Sequence, residues 1–275
     1  MKLKIAIQGI KGSNHHQVAK DYYGDDIELI ECLSFHGLVD QLLQGAADKG
    51  IMAIENSIAG SIIPNYALVY DNGLHIIGEH YLNIHHNLMV LKGQNLNDIQ
   101  EVRSHPMALL QCREYLKTRP DIKMVEDVDT AETAKQIQEN QLKGIAAIAP
   151  IVAAELYDLD IVASDIQTIK NNSTRFIIVK TKNKELPREL INKASVRFTT
   201  DHKRGSLAAV LNVMSDCNLN LTKIQSLPII ETPWKYAFFV DVTFKRYANF
   251  EKAVALLNIM SEDLKVLGEY KNARA

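Results

Sequence analysis

The sequence predicts an α/β region followed by a smaller α+β unit, and three observations carry that expectation. Up to about residue 180, short apolar runs alternate with stretches of helical periodicity, the pattern of a mostly parallel sheet with helices on its faces. Residues 181–193, TKNKELPRELINK, are polar and lysine-rich with one proline, and read as a linker. From residue 194 the order of runs is βαββαβ, the split-βαβ arrangement of ferredoxin-like units.

Taken in order, LKIAIQG (3–9) is a strand leading into the helical HQVAKDYYG, and GIMAIEN (50–56) a strand leading into SIIPNYALVYD. LNIHHNLMVLKG (82–93) reads as one long strand. EVRSHPMALLQCREYL passes from a short strand into a helix, with Ser104 as N-cap and Pro106 in the first turn, where its missing N–H costs nothing. GIAAIAPIVAAELYDL repeats that passage. Beyond the linker, ASVRFTT is a strand, GSLAAVLNVMSDC a helix, LNLTKIQSLPII and WKYAFFVDVTF a strand pair, ANFEKAVALLNIMSEDL an amphipathic helix, and KVLGEYK the closing strand. A unit this small leaves one sheet face thinly covered, so it is expected to pair with another copy or another domain.

With 275 residues, 47% hydrophobic composition and a net charge of -2, the chain has material for about two domains and no electrostatic footprint for nucleic acid or an anionic membrane. No apolar stretch approaches the ~20 residues of a membrane span, and the opening MKLKIAIQGI is too short in its apolar run for a signal peptide. Cys32, Cys112 and Cys217 are odd in number and far apart, and read as reduced thiols of a cytoplasmic protein.

In α/β folds, ligands gather where strand ends enter loops. GIKGSNHH (9–16) offers Gly9 and Gly12 for tight turns and Ser13 or Asn14 as a helix cap. Its spacing is neither a P-loop nor a dinucleotide fingerprint, which leaves a capped turn or an anion site at a helix start. IENS places Glu55, Asn56 and Ser57, an acid, an amide and a hydroxyl, at the end of an apolar strand. DTAE (129–132) is a capping pattern, with Thr130 a minor candidate. His85 and His86 are adjacent on a predicted strand and point to opposite faces, and with His80 they form no zinc-like spacing, so no metal is expected. NNSTRF ends on Thr174 and Arg175 at the mouth of an apolar strand. There a guanidinium fork can hold a carboxylate and a hydroxyl can donate a proton or hydrogen bond.

The ordered series GIKGS, IENSIAGS, SHPMALLQCREYL, AAELYDLDIVASDIQ, NNSTRF and NLTKIQSLP resembles prephenate dehydratase with a C-terminal ACT regulatory domain, over nearly the whole chain. The resemblance implies a catalytic domain at 1–180 of the two-lobed type II periplasmic-binding-protein-like fold, with lobes at about 1–80 plus 160–180 and at 81–159 and the active site in the cleft. It implies an ACT domain at 194–275. The reaction implied is loss of water and carbon dioxide from prephenate to give phenylpyruvate in phenylalanine biosynthesis, with no cofactor. It makes Thr174 the proton donor, Arg175 the carboxylate anchor, and Phe176 a packing partner. Glu55, Asn56 and Ser57 would line the facing wall, and Ser13, Ser104 and His105 would contribute to the cleft. Two like charges ~4 Å apart repel by about 4 kcal/mol at an effective dielectric near 20. Glu55 therefore faces the ring or hydroxyl side, or carries a proton, or orients its neighbours.

Departures from the family pattern fall in two places. The first loop carries Ile10, Ser13 and Asn14 where the family has proline, threonine and phenylalanine. The phenylalanine-sensing stretches read Gly205-Ser206-Leu207-Ala208 and Gln225-Ser226-Leu227-Pro228 in place of Gly-Ala-Leu-Val and Glu-Ser-Arg-Pro, while Asn220 and Leu221 are retained. Phenylalanine is expected at this site, between copies in a homodimer or homotetramer formed through the ACT domains. The competing readings are arogenate dehydratase, a non-aromatising prephenate decarboxylase, and a non-catalytic sensing or solute-binding protein. A chorismate mutase fusion is not expected, because the sequence opens directly on the first strand.

Overall fold

The computed structural model describes residues 2–181, 186–201, 203–229 and 232–274. Of the expected linker, residues 182–185 lie outside the described residues. The chain packs as two units, Met1–Gly60 with Tyr81–Phe176, and Ser61–His80 with Ile177–Ala275.

In the first unit, Leu3–Gln8 is flanked by the parallel strands Ile27–Cys32 and Lys49–Asn56, with the first residues of the strand Ser173–Lys180 beyond the latter. Ile5, Ala6 and Ile7 are all fully buried, as expected of an apolar run covered on both faces. Helix Asn14–Tyr23 turns Val18 and Ala19 inward, and helix Phe35–Leu43 turns in Leu38, Val39 and Leu42 at i, i+1 and i+4.

A second sheet in this unit runs in the order Leu159–Ala163, Asn87–Leu91, Ile145–Ala149, Glu101–Ser104, Lys123–Glu126. Glu101–Ser104 is parallel to both of its neighbours, whereas Asn87–Leu91 is antiparallel to both of its own. The sheet is therefore mixed rather than mostly parallel. The strand expected over 82–93 is in fact two, His75–Asn83 and Asn87–Leu91, in different sheets. The ladder stops because backbone groups between them bond elsewhere: Ile84 N–H donates to Asn172 O (2.7 Å) and Ile166 N–H to His86 O (2.8 Å).

The second unit holds Lys193–Thr199, helix Ser206–Asp216, Asn220–Pro228, Tyr236–Thr243, helix Tyr247–Met260 and Glu262–Tyr270, in the βαββαβ order expected. Its sheet runs Asn220–Pro228, Tyr236–Thr243, Lys193–Thr199, Glu262–Tyr270, and then His75–Asn83. Ala194, Val196 and Phe198 face the two helices and join Val210, Met214, Phe250 and Leu257 in one core. The alternate residues Lys193, Ser195, Arg197 and Thr199 are also buried, on the face that sequence left thinly covered. The segment 61–80 covers part of it. Tyr66 packs on Phe239 with ring centroids 5.5 Å apart, Arg197 lies 4.0 Å over the Tyr70 ring, and Lys193 Nζ bonds both Glu79 oxygens at 2.8 and 2.9 Å. Gly268 is parallel to Ile76, and a Cβ on Gly268 would overlap the Ile76 carbonyl and come within 2.6 Å of Ile76 Cβ, so no other residue permits that strand approach.

Candidate active site

The end of Lys49–Asn56 meets the start of Ser173–Lys180. Ser57 N–H donates to Ser173 O at 2.9 Å, and Ser173 N–H donates back to Ser57 Oγ at 2.9 Å. This double bond pattern aligns the Glu-Asn-Ser stretch with the Thr-Arg stretch, 116 residues apart in sequence. Asn56 is fully committed there. Its Oδ1 accepts the backbone N–H groups of Ile58 and Ala59, both at 2.9 Å. Its Nδ2 donates to Asn172 Oδ1 at 2.7 Å and to Thr174 Oγ1 at 2.9 Å. An amide nitrogen has two hydrogens, so each bond takes one. Thr174 Oγ1 is therefore an acceptor toward Asn56, and that bond leaves its own hydrogen to point elsewhere.

Thr174, Arg175 and Phe176 are 8%, 4% and 1% exposed. Arginine carries a delocalised charge and five N–H donors in a fixed fork. Phe176 stands edge-on to His15, with centroids 5.0 Å apart and planes at 90°. Burial drives the His15 pKa down to about 3, so the ring is neutral at pH 7. Its Nε2 accepts Ala53 N–H at 3.4 Å, two residues before Glu55. Glu55 itself is half-buried.

The amide chain extends past the residues that sequence singled out. Asn172 Nδ2 donates to Gln111 Oε1 at 3.0 Å, and that oxygen lies 2.8 Å from His86 Nε2. Asn172 sits inside the NNSTRF stretch and Gln111 inside SHPMALLQC, but neither residue type carries a chemical signature by itself. His86 was weighed only as a metal ligand. Its partner is Gln111, and the neighbouring His85 Nδ1 bonds the exposed Asp165 at 2.5 Å.

The remaining expected residues are placed as follows. Ser13 is the N-cap of Asn14–Tyr23, its Oγ accepting His16 N–H at 3.3 Å. Gly12, with φ +93°, lies under Tyr157 and Ala131; a Cβ there would approach their carbons to 3.1 and 3.3 Å. Tyr157 OH donates to Lys11 O at 2.7 Å, so the first loop is held from this side as well. Ser104 is not a helix cap. It ends its strand, fully buried, and its Oγ donates to Ile148 O at 2.6 Å. The cap is His105, whose Nδ1 accepts Met107 N–H at 3.2 Å. His105 is exposed at the start of the six-residue helix that ends on Gln111. Asp129 caps Thr130–Glu139. Burial raises its pKa, against the opposing pull of the Ala131 and Glu132 N–H groups and the nearby His105.

In the second unit Gly205, in the left-handed region at φ +83°, precedes Ser206 and Leu207 at the start of their helix. Asn220 and Leu221 open the sheet's outermost strand, where the ladder shifts register between Leu221 and Lys223. Gln225 and Ser226 lie further along it, with Gln225 Nε2 donating to Ser226 O at 2.9 Å.

A family model described as Prephenate dehydratase matches residues 5–184. The Arabidopsis thaliana protein named arogenate dehydratase/prephenate dehydratase 2, chloroplastic, is 33% identical over 279 residues, covering 98% of this chain and 73% of that protein. Two solved structures are similar over most of their length. One is GqqA, described as a novel type of quorum quenching acylase, with TM-score 0.88 and 26% identity over 98% of each chain. The other is the prephenate dehydratase of Arthrobacter aurescens in complex with L-Phe, with TM-score 0.87 and 26% identity over 99% of this chain and 91% of that one.

Proposed function

Because this chain belongs to the prephenate dehydratase family, we propose that it converts prephenate to phenylpyruvate, water and carbon dioxide where Asn56 meets Thr174, beside Arg175 in the chain. The observation that carries this reading is the donated bond from Asn56 Nδ2 to Thr174 Oγ1. It occupies the hydroxyl oxygen, so the Thr174 hydrogen is aimed away from Asn56, toward a substrate oxygen.

In the reaction, the bond between the ring and the departing carboxylate breaks and its electron pair enters the ring. The ring carbon–oxygen bond then breaks, and the leaving hydroxyl takes one proton to become water. The dianion thus consumes one proton and leaves a monoanion plus carbon dioxide. Arg175 anchors a substrate carboxylate through its fork. Thr174 supplies the hydrogen to the leaving oxygen, the Asn56 Nδ2–H that already bonds Thr174 Oγ1 steadies the alkoxide so formed, and a proton from solvent restores the hydroxyl. Phe176 fixes the strand on which both sit. Glu55, Asn56 and Ser57 line the wall with Ser13 and His105, whereas Ser104, fully buried with its hydroxyl on Ile148 O, lies behind that wall and does not line it, and an ionised Glu55 stays clear of the carboxylates. No cofactor enters this scheme.

The same reading divides the chain into a catalytic domain at 1–180, a linker at 181–193 and an ACT domain at 194–275. It makes the two sheets of the first unit the cores of two periplasmic-binding-protein-like lobes, with the substrate in the cleft. The βαββαβ order of the second unit supports the ACT assignment. A relative of known structure is described in complex with L-Phe, which supports phenylalanine as an effector, held by Gly205, Ser206, Leu207, Asn220, Leu221, Gln225 and Ser226. The exposed Leu221 and Ile224 on the outermost strand suit pairing with a second copy in a homodimer or homotetramer. Among the described residues no helix is long and apolar enough to cross a membrane, and a cytoplasmic location is proposed.

Incubating the purified protein with prephenate and analysing products tests the reaction; absence of phenylpyruvate overturns it. The Arabidopsis relative's name favours a second reading, arogenate as the better substrate, which a larger kcat/KM on arogenate than on prephenate would establish. Calorimetry with phenylalanine tests the effector site, and absence of heat at millimolar ligand overturns it.

A further inference from the structure

The chain of amides behind Thr174 ends on a histidine, and the chemistry of each link fixes the direction of the next. Asn56 Oδ1 is held by two backbone N–H groups, so its Nδ2 must face Asn172 and Thr174. Asn172 therefore turns its oxygen to Asn56 and its NH2 to Gln111. The Gln111 atom that meets this NH2 is Oε1, and the same atom meets His86 Nε2 at 2.8 Å. An amide oxygen only accepts, so His86 Nε2 carries the hydrogen.

The imidazole is itself fixed. His86 is 4% exposed, and its backbone is held on both sides, its main-chain N–H donating to Gln167 Oε1 at 2.9 Å and its main-chain carbonyl accepting Ile166 N–H at 2.8 Å. Its Nδ1 has no hydrogen-bond partner among the described residues. Burial lowers the pKa of the ring, as does the neighbouring His85, while the Gln111 bond opposes them. A neutral ring protonated at Nε2 satisfies all of this.

We infer that His86 is the positioning residue for proton donation by Thr174, acting by locking the Gln111 amide so that every hydrogen bond from Gln111 to Thr174 has one direction. The inference rests on the assignment of Thr174 made above. Without the Nε2–H donor, the Gln111 amide can turn and present its NH2 to the NH2 of Asn172. Asn172 can then bond Gln111 only by turning its own NH2 against that of Asn56. Asn56 cannot follow, because Ile58 and Ala59 hold its oxygen. Two donors end face to face, and the hydroxyl that Asn56 orients loses its fixed position.

The test compares three substitutions with different donors at one site. His86→Gln places an amide N–H near the Nε2 position, His86→Asn places one near Nδ1, out of reach of Gln111, and His86→Leu removes the donor. His86→Asn and His86→Leu should each lose about 10- to 100-fold in kcat with KM within about threefold, the cost of a small misplacement of a reacting group, while His86→Gln stays within about threefold of wild type. Wild-type kcat in the Asn variant, or a Gln variant as poor as the Asn variant, overturns the inference. Should His86→Leu fail to fold, the Gln and Asn pair decides. In a Gln111→Met background, His86→Asn should cost no more than about twofold further in kcat, and an undiminished loss there also overturns it. The ring ¹⁵N shifts of the wild-type protein are read at neutral pH without substrate. They should report the Nε2–H tautomer, and an Nδ1–H tautomer overturns the inference. That measurement stands apart from turnover, so a wild-type protein inactive on prephenate removes the functional reading and leaves the hydrogen-bond direction to be judged by the spectrum.

Discussion

Asn56→Asp tests the site with almost no change of shape. The oxygen that accepts from Ile58 and Ala59 stays in place, and those two bonds become charge-assisted. The nitrogen that donates to Asn172 Oδ1 at 2.7 Å and Thr174 Oγ1 at 2.9 Å becomes an oxygen, so both donations are lost. At about 0.5–1.5 kcal/mol net per bond, the loss is about 1–3 kcal/mol, offset in part by the strengthened bonds at the other oxygen. The thermal midpoint should therefore fall by a few degrees. Turnover should move far more, because the new carboxylate accepts the Thr174 hydrogen that wild type leaves for the substrate. A hydrogen bond to a charged group contributes about 1.5–3 kcal/mol and must be given up before Thr174 can donate elsewhere. At 1.4 kcal/mol per tenfold, kcat for phenylpyruvate formation should fall about 10- to 100-fold at pH 7. KM should rise as well, since the new charge faces a dianion. Protonating the carboxyl restores a neutral group and frees the threonine. The ratio of variant to wild-type kcat should climb as pH falls toward the ordinary aspartate range near about 4. A variant within about threefold of wild-type kcat from pH 5 to 8, with an unchanged midpoint, would refute the claim that Asn56 aims Thr174.

Three further outcomes follow from the fold. Gly268→Ala inserts a Cβ into the Ile76 carbonyl and should cost about 1–3 kcal/mol, seen as a lowered thermal midpoint; an unchanged midpoint would mean that the two strands are not in contact. Lys193→Met removes the buried ammonium that bonds both Glu79 oxygens and should cost about 3–5 kcal/mol in denaturant unfolding, most of it recovered by adding Glu79→Leu; equal loss in the single and double variants would remove the ion pair from the account. His15 has its folded pKa depressed from 6.5 to about 3, so the folded state binds fewer protons than the unfolded state between those values. Stability should fall as pH drops through that window, by at most about 5 kcal/mol from this group, and His15→Phe should flatten the fall; identical pH profiles would show that His15 titrates normally.

The sequence was legible where one element decides its own outcome, and illegible where a distant partner decides it. GIMAIEN and GIAAIAP read as strands because their apolar runs are buried on both faces. IELIEC at 27–32 carries no such signal, since it forms the outer strand of its sheet and keeps its glutamates in solvent. The break at residues 84–86 left no mark in an apolar run, because Asn172 and Ile166, both remote in sequence, take its backbone groups. The Ser104 cap failed for a related reason. Ile148 O, on a neighbouring strand, claims the hydroxyl, and the cap passes to the next residue with a side-chain acceptor, His105.

The site follows the same division. Asn56 and Thr174 stood out as polar groups at the ends of apolar strands, where burial alone makes them costly and therefore informative. Gln111 and Asn172 did not, because an amide becomes chemically distinctive only once its oxygen and nitrogen have partners on fixed sides, and here those partners lie 25, 61 and 116 residues away. The histidines were sorted by what imidazole can ligate, and a search for ligand spacing overlooks an imidazole that serves as a neutral donor. Residue type names a set of possible roles, and the partner selects among them. At His86 the partner is an amide oxygen that already accepts one hydrogen, so the role selected is to hold that oxygen in place.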